Sequence, residues 1–285
     1  ALEHHANLLP WQQLAQRRNL KLVILPLDAD GLIDLAAAVH LIGPRTRLLA
    51  ISQLSNVLGA WQPLPALLGM AKAHNALTVV DGAQGVVHGR HDVQALGCDF
   101  YVFSSHKLYG PDGLGVLFGR NTALEQLKPW QFGGEMVLEA NYHDARFRPA
   151  PLGLEAGTPP IASVIGLGAT LDYLAGLDQD AVSAHEAALH DYLLRGLAAR
   201  NGIRLLGKPQ LALASFVVEG VHNADLAHLL TEQGIAVRAG HHCAMPLLKR
   251  FELAGAIRVS LALYNDSEDL ERFFEALDQA LELLR

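Results

Sequence analysis

The chain has 285 residues, of which 51% are apolar and 18% charged, and its formal net charge is −7. This composition allows a sizeable core and excludes a largely disordered chain. Acidic and basic residues are interspersed, which argues against a nucleic-acid-binding protein with a basic face. No apolar run is long enough to span a membrane. The two cysteines, Cys98 and Cys243, lie far apart and favour a reducing cytoplasm over a disulfide framework.

Short apolar runs alternate with helix-like runs through the first part of the chain. We predict strands at 20–27, 47–52, 77–81, 99–104 and 114–119. Helices are predicted after Asp34, at 63–74 and near 93–96. Strands that are apolar throughout are buried on both faces, and their alternation with helices indicates a mostly parallel sheet.

The pattern changes after residue 119. Residues 120–158 are predicted to be an ordered loop region, followed by helices at 160–175 and 180–200. Strands near 203–206, 213–220, 235–240 and 256–262, with a helix near 223–233, indicate a smaller α+β unit. The last segment has helical spacing, and we expect Asn265 or Ser267 to cap it. The sequence thus predicts an α/β fold with a mostly parallel sheet and flanking helices over 1–175, and a smaller C-terminal α+β domain over 176–285.

Polar residues follow three predicted strands at the points where the strands end. Asn56 comes after the first of these strands. The second ends at Asp81 and is followed by Gln84, and the third ends at Ser104 and is followed by His106 and Lys107. Functional groups gather beyond the carboxyl ends of parallel strands, so we expect Asp81 and Lys107 to meet in one cleft. The structural alternatives are an ion pair between Asp81 and Lys107 and a turn-forming role for Asn56.

An acid and a lysine in such a cleft suit one cofactor in particular. A desolvated lysine loses its proton readily and becomes a nucleophilic amine that condenses with an aldehyde. Pyridoxal phosphate (PLP) needs that amine and a carboxylate that keeps its ring nitrogen protonated. Gln84 is suited to the phenolic oxygen of the ring, and Ser104 and His106 to the phosphate.

Cys243 lies in VRAGHHCAMPLL (237–248), where Gly240 and Pro246 indicate a loop. A thiol beside histidine is partly ionised near neutrality, and the thiolate is the reactive form. The alternatives are a structural cysteine and a metal site with His241 and His242, although adjacent residues seldom point at one ion.

Four further residues carry weaker signals. His88 and His91 are weak candidates for metal ligands and are better explained as loop residues. Cys98 is expected to be a small buried residue. Arg258, in the otherwise apolar run AIRVSLALYN, needs an anion: either a substrate carboxylate or an internal salt-bridge partner.

Taken together, these motifs resemble the cysteine desulfurases of the class V aminotransferase-like, fold-type I PLP enzymes, most closely the Suf and Csd type. The matching stretches run through the whole chain: EHHANLLPWQ, SNVLG, VDGAQGVVH, DFYVFSSHKLYGP, LEAGTP, VRAGHHCAMPLL and AIRVSLALYN. The resemblance implies the fold-type I major domain for residues 1–175.

The resemblance also implies roles for individual residues. Those implied to hold PLP are Lys107 at the aldehyde, Asp81 at the ring nitrogen, Gln84 at the phenolic oxygen, His4 stacked on the ring, Ser104 and His106 at the phosphate, and Thr158 at the phosphate of the partner subunit in a homodimer. Lys107 would also move the substrate's Cα proton. Asn56 and Arg258 would hold the substrate carboxylate. Cys243 would be the nucleophile that forms a persulfide, and no metal is implied.

The implied activity is conversion of L-cysteine to L-alanine. The sulfur on Cys243 would pass to a SufE- or CsdE-like acceptor protein for iron–sulfur cluster or other sulfur-containing biomolecule synthesis, and selenocysteine should react by the same route. The family's Gly-Thr-Thr phosphate turn would precede EHHAN, so we expect an N-terminal segment to be missing. Ser105 and Pro160 stand where glycine and asparagine are usual. The alternatives are another class V PLP enzyme, aminotransferase- or kynureninase-like, and a truncated, non-catalytic binding module.

Overall fold

The computed structural model describes residues 1–89 and 91–285, and its first sheet consists of four strands. They lie in the order β1 (Leu48–Ser52), β2 (Leu77–Asp81), β3 (Phe100–Ser104) and β4 (Gly115–Gly119). The first three are parallel, and β4 is antiparallel to β3. The register places Ser52 beside Asp81, and Asp81 beside Val102. The carboxyl ends of the parallel strands therefore lie side by side, and the prediction of a mostly parallel sheet is confirmed.

Helices connect and cover these strands. They are α1 (Leu9–Arg18), α2 (Leu35–Leu41), α3 (Leu64–Ala73), α4 (Val93–Leu96), α5 (Asn121–Leu124) and α6 (Ile161–Ala175). The Asp34 side chain caps α2 by accepting the Ala37 N–H at 3.0 Å. Pro65 lies in the first turn of α3, where the missing N–H of proline costs no hydrogen bond. Local sequence therefore favours the observed starts of α2 and α3.

The second sheet is antiparallel and has the order β7-β8-β10-β9. Its strands are β7 (Ile203–Leu205), β8 (Leu213–Val218), β9 (Arg238–Gly240) and β10 (Ala256–Ser260), and its helices are α7 (Gln179–Ala198), α8 (Asn223–Glu232), α9 (Met245–Arg250) and α10 (Ser267–Leu284). The predicted α+β unit is confirmed. Residues 120–158, predicted to be an ordered loop region, also contain the hairpin β5 (Val137–Ala140) and β6 (Ala145–Phe147).

Two hydrophobic cores support the two sheets. The core of the C-terminal sheet is formed by apolar residues of α7, α8, α10 and the strands themselves, such as Phe216 and Leu277. The core of the first sheet also takes in Leu206, Leu247 and Leu248 from the C-terminal part. The two parts of the chain are thus packed together, and a domain boundary between residues 175 and 176 stays a prediction.

The prediction of a strand at 20–27 is wrong. Leu27 makes a single bridge with Ile33, and the side chains of Leu20, Leu22, Val23 and Ile24 are between 39% and 55% exposed. Apolar, β-branched residues favour a strand only when a neighbouring strand pairs with them. No strand in the described part of the chain pairs with this run.

The expected cap of the last helix is also wrong. Asp266 caps α10 by accepting the Asp269 N–H at 3.0 Å, and Asp269 accepts the Asp266 N–H at 3.4 Å. This reciprocal pair is a capping box with two aspartates. Asn265 instead holds the preceding turn, since its Oδ1 accepts the Ala262 N–H at 2.9 Å. Ser267 is already the first residue of the helix.

Within the described residues, no single helix is long and apolar enough to cross a bilayer; α6 and α7 pass that test only jointly, and they are bent by 86°.

We expect Asp266→Ala to lower the free energy of unfolding by about 1 kcal/mol, because it removes the side-chain acceptor at the start of α10. Urea unfolding followed by circular dichroism measures this change. Ser267→Ala is the matched control, since it replaces a neighbouring polar residue that makes no capping bond. An equal loss in both variants would contradict the assignment of Asp266 as the cap.

Candidate active site

Asp81 is the last residue of β2, and its carboxylate lies at the edge where the parallel strands end. Its Oδ1 accepts the Ala83 N–H at 2.9 Å, and its Oδ2 has no partner among residues 1–89 and 91–285. Gly82 follows because a Cβ there would collide with the ring of Tyr101. The sequence VDGAQ therefore leaves one carboxylate oxygen available to a ligand. Gln84, three residues on, is half-buried and its side chain forms no hydrogen bond with a described residue.

Lys107 lies in the 3₁₀ turn Ser105–Leu108 that directly follows β3. Its amine is half-buried and makes no hydrogen bond or ion pair within the described part of the chain. Burial lowers the pKa of this amine, the charge of Asp81 raises it, and the charges of Arg258 and Arg238 lower it further. Lys107 therefore lies within electrostatic range of Asp81 and of the two arginines.

The segment EHHAN is held against the end of β1 by Glu3, which the sequence analysis did not single out. The Glu3 carboxylate accepts the Ser52 N–H at 3.0 Å, the Ser52 hydroxyl at 2.6 Å and the Asn7 Nδ2 at 2.7 Å. Asn7 is itself fixed, because its Oδ1 accepts the Trp11 Nε1–H at 3.0 Å. The Glu–Asn spacing of four residues is the signal that could have indicated this anchor.

His4 follows this anchor and lies near the charges of the cleft. Its Nδ1 accepts the Ala6 N–H at 3.0 Å, which leaves the ring proton on Nε2. Burial lowers the pKa of His4, the charge of Lys107 lowers it further and Asp81 raises it. His4 is therefore a neutral, half-buried ring that interacts with both Lys107 and Asp81.

Cys243 lies in the loop between β9 and α9, as predicted, and is a half-buried free thiol. Both His242 and Cys243 have left-handed backbone conformations, with φ of 50° and 55°. His242 is buried and its Nε2 donates to Ala256 O at 3.0 Å. Burial, with the nearby charge of Arg258, lowers the pKa of His242 to about 4, so the ring is neutral. Cys98 is a buried free thiol, as expected.

Arg258 projects from β10 and is joined to the cysteine loop through Asn56. Its Nη1 donates to Asn56 O at 2.9 Å, and Asn56 Nδ2 donates to His242 O at 2.9 Å. The Arg258 Nε is buried without a partner. Burial and the charge of Arg238 lower the pKa of Arg258 to about 10. Among the described residues no carboxylate pairs with Arg258, so its unpaired N–H groups suit an anionic ligand.

Three other predicted site residues, Ser104, His106 and Thr158, differ in exposure and in position along the chain. Ser104 is half-buried at the end of β3, and His106 is exposed in the turn after it. Thr158 is exposed in the loop before α6, and no hydrogen bond or charge interaction of the described residues joins it to Lys107. Its role at a second subunit therefore stays a prediction.

The two histidines with a faint metal signal make other contacts. The ring of His88 pairs with Glu186 at 3.2 Å, and the ring of His91 contacts Gln53 Nε2 and Gly85 O. No group of three His, Cys, Asp or Glu in the described ranges could hold a metal ion.

The donor set of the cleft fits PLP. The free amine of Lys107, with its pKa lowered by burial, suits the aldehyde, and the open Oδ2 of Asp81 suits the ring nitrogen. The neutral ring of His4 lies among the same charges. Ser104, the last residue of β3, and His106, in the turn after it, have side chains that make no hydrogen bonds to described residues, so both are free to bind a phosphate.

Comparison with known proteins agrees with this chemistry. The model of the family "Aminotransferase class-V" matches residues 1–273. A "Probable cysteine desulfurase" of Pseudomonas putida is 79% identical over 285 residues, which is all of this chain and 71% of that relative. A "Cysteine desulfurase" of Dickeya dadantii is 45% identical over 99% of this chain and 69% of its own length. The crystal structure of the cysteine desulfurase CsdA (S-sulfonic acid) from Escherichia coli superposes with a TM-score of 0.97 at 45% identity, covering 100% of this chain and 71% of that one.

The chain belongs to the class V aminotransferase family of fold-type I PLP enzymes. Within that family it is a PLP-dependent cysteine desulfurase. This assignment favours a desulfurase over the aminotransferase-like and kynureninase-like alternatives that the sequence motifs left open.

The charge of Asp81 raises the pKa of Lys107 against the effect of burial, so we expect Asp81→Asn to lower that pKa further. In protein stripped of PLP, the pH midpoint for modification of Lys107 by an amine-acylating reagent should then move to lower pH. Peptide mass spectrometry measures the modification, with the exposed Lys249 as the internal reference. A midpoint that stays in place or moves to higher pH would show that the two side chains do not interact.

Proposed function

We propose that the chain removes sulfur from L-cysteine to give L-alanine and leaves that sulfur as a persulfide on Cys243. The observation that carries this proposal is geometric: Asn56 joins Arg258 to the loop of Cys243, because Asn56 O accepts the Arg258 Nη1–H at 2.9 Å and Asn56 Nδ2 donates to His242 O at 2.9 Å. The charge of Cys243 also raises the pKa of Lys107, which agrees with a position near that amine. Arg258, the group suited to a substrate carboxylate, acts on the same amine. A substrate held by Arg258 would thus lie between the amine and the thiol.

Each residue then has one task. Arg258 binds the substrate carboxylate, and Asn56 orients the guanidinium through its carbonyl while its Nδ2 keeps a second hydrogen for the same carboxylate. Lys107, with its pKa lowered by burial, takes the proton from the substrate Cα and returns a proton as alanine forms. PLP, when bound, supplies the electron sink that weakens the bond between the substrate's Cβ and sulfur.

Asp81 supplies the negative charge that favours a protonated ring nitrogen, Gln84 donates to the phenolic oxygen, and His4 covers the ring as a neutral imidazole. Ser104 and His106 bind the phosphate. The thiolate of Cys243 attacks the substrate sulfur, so the new sulfur–sulfur bond forms as the carbon–sulfur bond breaks and the electron pair returns to carbon.

The sulfur on Cys243 is a reversible modification and needs an acceptor. We assign that role to a SufE- or CsdE-like protein, and the reaction to a reducing cytoplasm, since the mechanism requires Cys243 as a free thiol. Selenocysteine would follow the same route because its carbon–selenium bond is weaker. The likeness to Suf- and Csd-type desulfurases supports these assignments.

We also propose that two copies of the chain form a homodimer in which Thr158 reaches the phosphate in the partner subunit. Large apolar side chains around and after Thr158 are exposed: Trp130 by 84%, Ile161 by 57%, Ile165 by 69% and Tyr173 by 63%. Extended exposed apolar surface of this kind is typical of an interface. Three of these residues, Ile161, Ile165 and Tyr173, lie on α6, which begins shortly after Thr158, and this supports contact with a second copy there.

Replacing the nucleophile tests the proposed reaction. We expect Cys243→Ala to retain the PLP absorption band but to form no protein-bound persulfide from L-cysteine, because the attacking sulfur is gone. Alkylation of persulfides followed by peptide mass spectrometry measures the product. Cys98→Ala is the matched control and should form the persulfide normally, since that thiol is buried in the core. Release of sulfide at the full rate by Cys243→Ala would overturn the role given to Cys243.

The dimer proposal has its own test. We expect Ile165→Asp to shift the protein from dimer to monomer in sedimentation equilibrium, because it buries a carboxylate in an apolar interface. Leu283→Asp, at an exposed apolar position near the end of α10, is the control and should leave the dimer intact. A wild-type protein that is monomeric at micromolar concentration would contradict the proposal directly.

A further inference from the structure

The loop that carries Cys243, residues 241–245, has an unfavourable backbone. His242 and Cys243 are consecutive residues with positive φ, at 50° and 55°, and neither is glycine. A left-handed conformation is unfavourable for an L-residue, because its Cβ comes too close to the following carbonyl oxygen. Two such residues in a row persist only where surrounding contacts hold them. The contacts made by this loop therefore determine where the thiol of Cys243 points.

Some of these contacts are made inside the loop or by Asn56. The Cys243 N–H donates to His241 Nδ1 at 3.1 Å, and the Ala244 N–H donates to His241 O at 2.8 Å. Asn56 Nδ2 donates to His242 O at 2.9 Å. They account for the first half of the loop but leave the Cys243 carbonyl and the first N–H of α9 without partners.

His5 supplies those two partners. Its backbone N–H donates to Cys243 O at 2.7 Å, and its ring Nε2 accepts the Met245 N–H at 3.2 Å. The His5 ring also lies beside the His241 ring, with centroids 5.7 Å apart and planes inclined at 35°. A single residue from the start of the chain thus contacts the loop on both sides of the thiol.

His5 is itself well placed to fix the loop. It begins the 3₁₀ turn His5–Asn7, and its carbonyl accepts the Leu8 N–H at 3.1 Å. This turn is anchored by the Glu3 carboxylate, which binds Ser52 at the end of β1 and Asn7 within the turn. His5 therefore links the position of this loop to the first sheet.

We propose that His5 is a positioning residue for the desulfurase reaction: it holds the loop 241–245 in the left-handed conformation from which the Cys243 thiol reaches the substrate sulfur. This inference rests on the proposed role of Cys243. Without the acceptor at Nε2, the Met245 N–H loses its partner and the loop relaxes to conformations with negative φ. Attack on the substrate sulfur then slows, whereas binding of the substrate through Arg258 is unaffected.

The test compares three variants of the PLP-loaded protein. His5→Phe keeps a ring beside His241 but removes the acceptor, and His5→Gln retains an acceptor, Oε1, at about the reach of Nε2. His40→Phe is the control, because His40 is exposed on α2, outside the site. The readouts are hydrogen–deuterium exchange of the peptide spanning 241–247, the kcat and KM for persulfide formation, and the melting temperature.

We expect His5→Phe to accelerate exchange at the N–H of Met245 about tenfold or more, since the protecting bond is gone. Its kcat should fall on the order of tenfold with KM unchanged, because a misplaced nucleophile costs rate and not substrate affinity. His5→Gln should restore most of both, and His40→Phe should match the wild type.

Two results would overturn the proposal: wild-type exchange and kcat in His5→Phe, or a His5→Gln variant as defective as His5→Phe. If His5→Phe does not fold, His5→Gln and His5→Asn carry the test, since the shorter asparagine cannot reach Met245 and should show the loop defect alone. Absence of a persulfide on Cys243 in the wild type would refute the proposed function, while the exchange data would still report on His5 and the loop.

Discussion

The parallel register of β1 and β2 is the constraint on which the site depends. It places Ser52 beside Asp81 at the carboxyl ends of the two strands. Ser52 binds the Glu3 carboxylate through both its N–H and its hydroxyl, so the EHHAN turn is fixed next to the carboxylate of Asp81. From that turn His4 approaches Asp81 and Lys107, and His5 approaches the loop of Cys243. A shift in this register would move Asp81 away from both His4 and His5.

Positive side chains outnumber negative ones among the residues that act on Lys107 and Arg258, and this excess determines which ligands the cleft favours. Lys107, Arg258 and Arg238 interact with one another, whereas Asp81 is the carboxylate that acts on Lys107. Burial and mutual repulsion lower the pKa values of Lys107 and Arg258. A cluster of this kind favours anionic ligands, and both the phosphate of PLP and the carboxylate of L-cysteine meet that requirement. The same repulsion disfavours the protonated form of the Lys107 amine.

Much of the site could be predicted because its signals are local. Asp81 ends one apolar strand and Lys107 follows another, and parallel strands bring such ends together. The run 20–27 has the same local pattern, yet it is not a strand, because pairing depends on a neighbour that no local pattern specifies. Around the last helix, Asn265, Asp266 and Ser267 are all residues that favour a cap, and the choice depends on how the chain enters the helix.

Glu3 and His5 could not be assigned roles from the sequence for a related reason. Their decisive partners, Ser52 and Met245, lie 49 and 240 positions away, so only the fold reveals the contacts. The motif EHHAN was recognised, but its resemblance to the family assigned a role to His4 alone.

The site as described requires the amine of Lys107 to bond to the cofactor aldehyde beside Asp81. Borohydride reduction of the PLP-loaded protein, followed by peptide mapping, tests it most directly, because reduction makes the bond between amine and cofactor permanent. The account predicts a pyridoxyl group on Lys107 and on no other lysine of the chain. A pyridoxyl group on Lys21, Lys72, Lys128, Lys208 or Lys249 with Lys107 unmodified would contradict it.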